Sequence, residues 1–158
     1  MLLWFVGAAL VVAWLVFRDP AIDYRVLIAG AVLPDVVDAP LGGARMAHTL
    51  LFSVVLLTVV MLGTRGRRHA RRRWLFVPVG TFVHLVADGM LGRTKAFWWP
   101  FLGGSLHGSL PWLDRSPAVV VVQELAGLAA IVWFARTTGL VAMPEARRAF
   151  VRSGRLPR

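Results

Sequence analysis

The sequence predicts an all-α integral membrane protein: a bundle of about four transmembrane helices plus one short partial or re-entrant helix. Three observations carry this. Of 158 residues, 58% are hydrophobic and only 16% charged, where soluble domains sit near half apolar and about a quarter charged. The apolar residues are gathered into runs of bilayer-spanning length. Twelve of the eighteen basic residues flank those runs in two clusters, Arg65, Arg67, Arg68, Arg71, Arg72 and Arg73, then Arg136, Arg147, Arg148, Arg152, Arg155 and Arg158.

Residues 1–17, "MLLWFVGAALVVAWLVF", carry no charge, and no basic residue precedes Arg18. A cleavable signal peptide has a basic start and a small-residue cleavage site, so a retained helix is expected. In "RVLIAGAVLPDVVDAPLGGAR" the apolar run Val26 to Leu33 stops at Pro34. It is too short to cross, and predicts a partial or re-entrant helix ending in a polar turn. Residues 46–63 form the second span. The third runs from about Trp74 to Leu91, and the fourth from about Pro117 to Ala135 with Glu124 inside it. Between these last two lies a Gly-, Pro- and Trp-rich connection. Its Phe97, Trp98, Trp99 and Phe101 suit an aromatic belt at the membrane interface.

Residues 1–135 are thus expected to be a transmembrane helical domain, and 136–158 a basic cytoplasmic tail. The positive-inside rule puts the 65–73 loop and the tail in the cytoplasm, separated by two spans. "LPDVVD", His48, Asp88 and the Trp-rich connection then gather on the extracytoplasmic side. The net charge of +10 is absorbed by this pattern, so the expected partner is a lipid bilayer with anionic headgroups rather than nucleic acid.

Polar residues inside apolar runs need a reason, because burial in lipid costs a charged group about 2.5–3.5 kcal/mol on insertion scales. His84 and Asp88, in "GTFVHLVADGML", stand four apart and share a helix face. Alone, His84 fits a hydrogen-bonded packing histidine and Asp88 a helix-end carboxylate. With Asp35, Asp38 and His48 they make five nitrogen or oxygen donors suited to zinc or manganese. Taken singly, Asp35 and Asp38 also fit a polar turn or helix cap, and His48 an interfacial histidine. Thr49 and Ser53 could donate to a bound anion or to their own helix backbone. His107, flanked by glycine, fits a mobile lid residue or an ordinary loop histidine. Glu124 requires a partner, with a metal-ligating histidine or Arg115 as candidates. The absence of cysteine excludes disulfides and thiolate metal sites.

In order along the chain, "LPDVVD", "AHTLLFS", "FVHLVADGML" and "FWWPF" resemble the membrane-bound metal-dependent hydrolase family. That family is also described as LexA-binding, inner-membrane-associated hydrolases. Its motifs are LPD-x-D, HR…THS, H-x3-D in a membrane helix, and an aromatic-Pro-Phe. The resemblance covers roughly residues 29–102. Asp38 falls one residue later than the usual spacing, Ala47 and Thr49 flank His48 where the motif has Thr and Ser, and no histidine precedes Arg45. The H-x3-D element is also similar to zinc-dependent phospholipase C-like proteins.

The resemblance implies a bacterial inner-membrane hydrolase. Asp35, His48, His84 and Asp88 would be metal ligands and Asp38 a further ligand or general base. Glu124, beyond the stretch the resemblance covers, is expected as a second catalytic carboxylate from its place in the fourth span. A phosphoester or lipid-linked substrate suits a site at this depth. Two other classes share these residues: a non-catalytic metal-binding membrane protein, and a proton-coupled transporter relaying through His84, Asp88 and Glu124. The wholly apolar stretch from Trp74 to Val79 counts against the relay.

Overall fold

The computed structural model describes residues 1–41, 43, 46–102 and 113–156, Thr94 through its backbone alone. The described chain is all-helical. Its helices are α1 (Leu2–Phe17), α2 (Tyr24–Asp38), α3 (Leu50–Gly63), α4 (Arg68–Trp74), α5 (Phe76–Ala87), α6 (Thr94–Phe97), α7 (Pro117–Thr137) and α8 (Pro144–Ser153).

The expected bundle of about four transmembrane helices is not what forms. Among the described residues only α7, with 21 residues and a mean hydropathy of 2.0, is long and apolar enough to cross a membrane. Local chemistry shortens the others. α1 has 16 residues, about 24 Å against a hydrocarbon core of about 30 Å, and stops where Arg18 adopts a left-handed conformation. α3 has 14 residues and starts only at Leu50, because Thr49 caps it by accepting from the Phe52 N–H. The preceding Met46–His48 turn is 3-10, its Ala47 and His48 N–H groups donating to Asp38. The expected third span, from about Trp74 to Leu91, holds only the 12-residue α5: the chain breaks at Leu75 after the arginine-rich α4, and α5 ends at Ala87 before Asp88 and Gly89. Pro78 has no N–H for the Trp74 carbonyl four residues back, and proline is tolerated only near a helix start. α7 is capped by Ser116 with Pro117 in its first turn, the arrangement that starts a helix cleanly.

α2 corrects the sequence reading in the other direction. It does not end at Pro34 but runs on to Asp38 with the proline inside it. A proline there removes the bond to the Gly30 carbonyl. Thr81 of α5 supplies the replacement, its hydroxyl donating to Gly30 O at 3.1 Å. Asp35 and Asp38 are therefore helical residues on the last turn of α2.

Two glycine-lined crossings set the packing. α2 lies on α5 with Gly30 against Gly80, where a Cβ on either would collide with the facing backbone. α1 lies on α7 with Gly7 against Gly127 in the same way. Small residues of this kind let helix axes approach closely. Ala9, Ala13, Tyr24, Leu27, Ala31 and Phe134 fill the space where these helices meet.

The two ends of the molecule differ in character. One holds the 18–25 loop with α4 and α8, and the other the last turn of α2, the 46–48 turn and the end of α5. α7 continues to Thr137, and α8 packs Ala146 and Phe150 on the core, with Leu156 following.

Candidate metal centre

Helix α2 brings Asp35 and Asp38 to its C-terminal turn, the 46–48 turn presents His48, and α5 presents His84 from its last turn. The α2–α5 crossing at Gly30 and Gly80 makes them meet. Asp35, His48 and His84 each offer one ligand atom, and the three atoms lie within 4.8 Å of one another. His48 Nε2 is 3.5 Å from Asp35 Oδ1, and His84 Nε2 is 3.7 Å from the same oxygen. A tetrahedral ion with bonds of about 2.0–2.1 Å holds its ligand atoms about 3.3 Å apart, so the spacing fits a shared cation. Asp35 Oδ1, His48 Nε2 and His84 Nε2 are all buried and without a hydrogen-bond partner. Buried polar atoms left unpaired are costly, and here three point at one place.

The opposite ring nitrogens are held. His84 Nδ1 donates to the Ala31 carbonyl at 2.7 Å, which fixes the tautomer and leaves the Nε2 lone pair free. His48 Nδ1 lies 2.7 Å from Asp38 Oδ2, the carboxylate–histidine arrangement that orients metal-binding imidazoles. Asp38 also accepts from the Ala47 and His48 backbone N–H groups. It stands behind His48 and outside the three-atom group.

Electrostatics separate the members. Burial pushes the His84 pKa down to about 4, so this imidazole is neutral. Burial alone would lower His48 too, but the facing carboxylates of Asp35 and Asp38 outweigh it and carry His48 up to about 9. Burial would raise Asp35, yet the two histidines bring its carboxyl below the ordinary value. Asp35 is also the member that reaches solvent, with 22% of its side chain exposed.

Asp88 caps α5 one turn beyond His84 and is buried. Neither carboxylate oxygen has a hydrogen-bond partner, and Arg115 Nη2 lies 3.3 Å from Oδ1. Burial raises Asp88 to about 6 despite that guanidinium, and its charge is felt by His48. Asp88 thus adjoins the three ligand atoms without belonging to the group. Glu124 sits elsewhere, accepting from the Leu3 N–H at 3.2 Å, with the chain's amino group 3.8 Å away. Neither expected partner of Glu124 is the one it meets; Arg115 instead holds Asp88 and Gln123. Thr49 serves as a helix cap, while the buried Ser53 hydroxyl has no partner. His107 and Arg45 lie outside the described residues.

Several contributors were invisible to sequence reasoning. Phe5 of α1 lies against His84 with ring centroids 3.8 Å apart, and Trp4 Nε1 donates to the Ala87 carbonyl at 3.0 Å. The start of α1 is therefore a wall of the site. Phe97, expected at the interface, is buried beside Leu85 and Met90, whereas Trp98 and Phe101 are exposed. Beside the site an apolar groove of about 340 Å³ runs between α3 and α5, lined by Leu50, Ser53, Leu57, Pro78 and Phe82.

Comparison with known family models, with curated proteins and with solved structures finds no match.

Proposed function

We propose that the chain is a membrane-associated metal-dependent hydrolase of the kind its motifs resemble. Zinc or manganese would be held by Asp35, His48 and His84, with Asp88 beside them. The observation that carries this is the convergence of three unpaired buried ligand atoms whose imidazoles are held from behind by Asp38 and Ala31. Held by Asp35, His48 and His84, a divalent ion would supply Lewis acidity for activating a water molecule. The chain's own residues do the rest. His84 offers a neutral lone pair and Asp38 holds the ring of His48. Asp88, raised by burial to about 6 and paired with Arg115 with neither oxygen hydrogen-bonded, is the carboxylate that can take a proton.

A phosphoester or lipid-linked substrate suits this surrounding. Arg115, at the edge of the site, carries the charge that binds a phosphoryl oxygen, and the α3–α5 groove offers an apolar part somewhere to lie. Exposed Val121, Val122, Leu125 and Leu128 on α7, with Val54, Val55 and Val59 on α3, form apolar surface of the kind that contacts lipid. Location in a bacterial inner membrane belongs to the same proposal.

The test is hydrolysis of aryl phosphomonoesters, phosphodiesters and phospholipids by purified protein loaded with zinc or manganese. A metal-dependent rate lost in His84→Ala and Asp88→Asn is expected. Stoichiometric metal with no turnover on any phosphoester or phospholipid would leave a metal-binding protein that is not this hydrolase.

A further inference from the structure

At the end of the molecule away from the metal centre, the 18–25 loop ties two arginine-rich helices together. Arg73 of α4 pairs with Asp23 at 3.0 Å, and Arg72 pairs with Asp19. Arg25 donates to the Val151 carbonyl of α8 at 2.9 Å, and Tyr24 N–H to the Gly154 carbonyl at 2.9 Å. α4 and α8 therefore flank one loop and share one end of the protein.

α8 has two unlike sides. Ala146 is fully buried, and Phe150 packs on the core. Arg147, Arg148 and Arg152 face outward, and between them Val151 is 73% exposed. The turn leading in from α7 exposes Val141 and Met143 as well. A nucleic acid would answer the arginines but would leave Val151, Val141 and Met143 against water. An anionic bilayer surface answers both, since a short basic helix can lie in the interface with apolar residues in the acyl boundary. Continuity points the same way. α7, the described helix with the length and hydropathy to cross a membrane, leads through this turn into α8, which puts α8 where α7 would leave the hydrocarbon.

We infer that α8 is an in-plane anchor for anionic lipid. Arg147, Arg148 and Arg152 meet headgroup phosphates, while Val151, Val141 and Met143 enter the acyl boundary. This rests on the membrane reading above and is independent of the metal centre.

The native chain has no cysteine, so Val151→Cys and Leu128→Cys can each carry an environment-sensitive fluorophore in the full chain. Each is reconstituted into vesicles of phosphatidylcholine alone or mixed with phosphatidylglycerol. The Leu128→Cys reporter should shift to the blue in both. The Val151→Cys reporter should shift only with phosphatidylglycerol and should return in high salt. The triple change Arg147→Glu, Arg148→Glu, Arg152→Glu should abolish its shift, and lysine at all three should keep it. Each arginine contributes roughly five-fold to partitioning. A Val151→Cys signal that ignores lipid charge or charge reversal overturns the anchor, as does one that responds to added RNA and not to phosphatidylglycerol. A Leu128→Cys reporter that stays water-like in both vesicles overturns the membrane reading itself, and the anchor with it.

Discussion

At the scale of single residues, the site depends on which atoms are already engaged. Asp38 spends its oxygens on His48 Nδ1 and two backbone N–H groups, so its influence on a metal passes through the orientation of His48. Asp38→Asn should weaken zinc binding by about 10–100-fold without unfolding the chain, as measured by competition with a chromogenic chelator. The pH dependence has a definite sign. His48 is raised from 6.5 to about 9, so the metal-free fold binds the extra proton. That contribution is fully present below pH 6.5 and is lost as pH rises through 9. The metal needs the deprotonated ring. The melting temperature of metal-free protein should therefore fall between pH 6.5 and 9, while the increment given by zinc grows over the same window. His84→Ala melting at each pH provides the control. His84 and Asp88 were legible as a pair because four-residue spacing is a helix rule. Phe5 beside His84 was not, since no local pattern relates residues 79 positions apart.

Among the elements, glycines decide where the ligands meet. Gly30→Val or Gly80→Val puts side-chain atoms into facing backbone and should cost about 3 kcal/mol or more, abolishing metal binding along with the α2–α5 contact. Gly63, with nothing near its missing Cβ, is the control. Gly63→Ala should be neutral or stabilising by up to about 1 kcal/mol in thermal unfolding. Thr81→Val should cost about 1–3 kcal/mol by leaving Gly30 O unpaired. Helix existence and character were readable from apolar runs, but helix ends were not. Pro34 reads locally as a stop, and it is tolerated because Thr81, far along the chain, satisfies the carbonyl it frees. Pro78 had the opposite outcome: it sits in the first turn of α5, where a proline is tolerated, and the helix starts just before it at Phe76.

For the whole molecule, hydropathy overcounted spans. An apolar window does not report that Asp38 captures the 46–48 turn, or that Asp88 and Gly89 end α5. The opposition of two polar ends was legible, since arginine clusters and potential ligands segregate along the chain. On the proposal that α7 crosses the bilayer, Gly66→Cys at the basic end and Leu113→Cys ahead of α7 should react with a membrane-impermeant thiol reagent from opposite sides. Labelling of both from one side would show that α7 does not cross. The metal centre itself is tested most directly by elemental analysis of protein purified, exposed to zinc or manganese, and freed of excess ion. The wild-type chain should retain about one divalent ion, and the double variant His48→Ala, His84→Ala should fall to background while still melting cooperatively. Wild-type protein that retains no ion, or a folded double variant that retains as much as wild type, would contradict a metal centre at Asp35, His48 and His84.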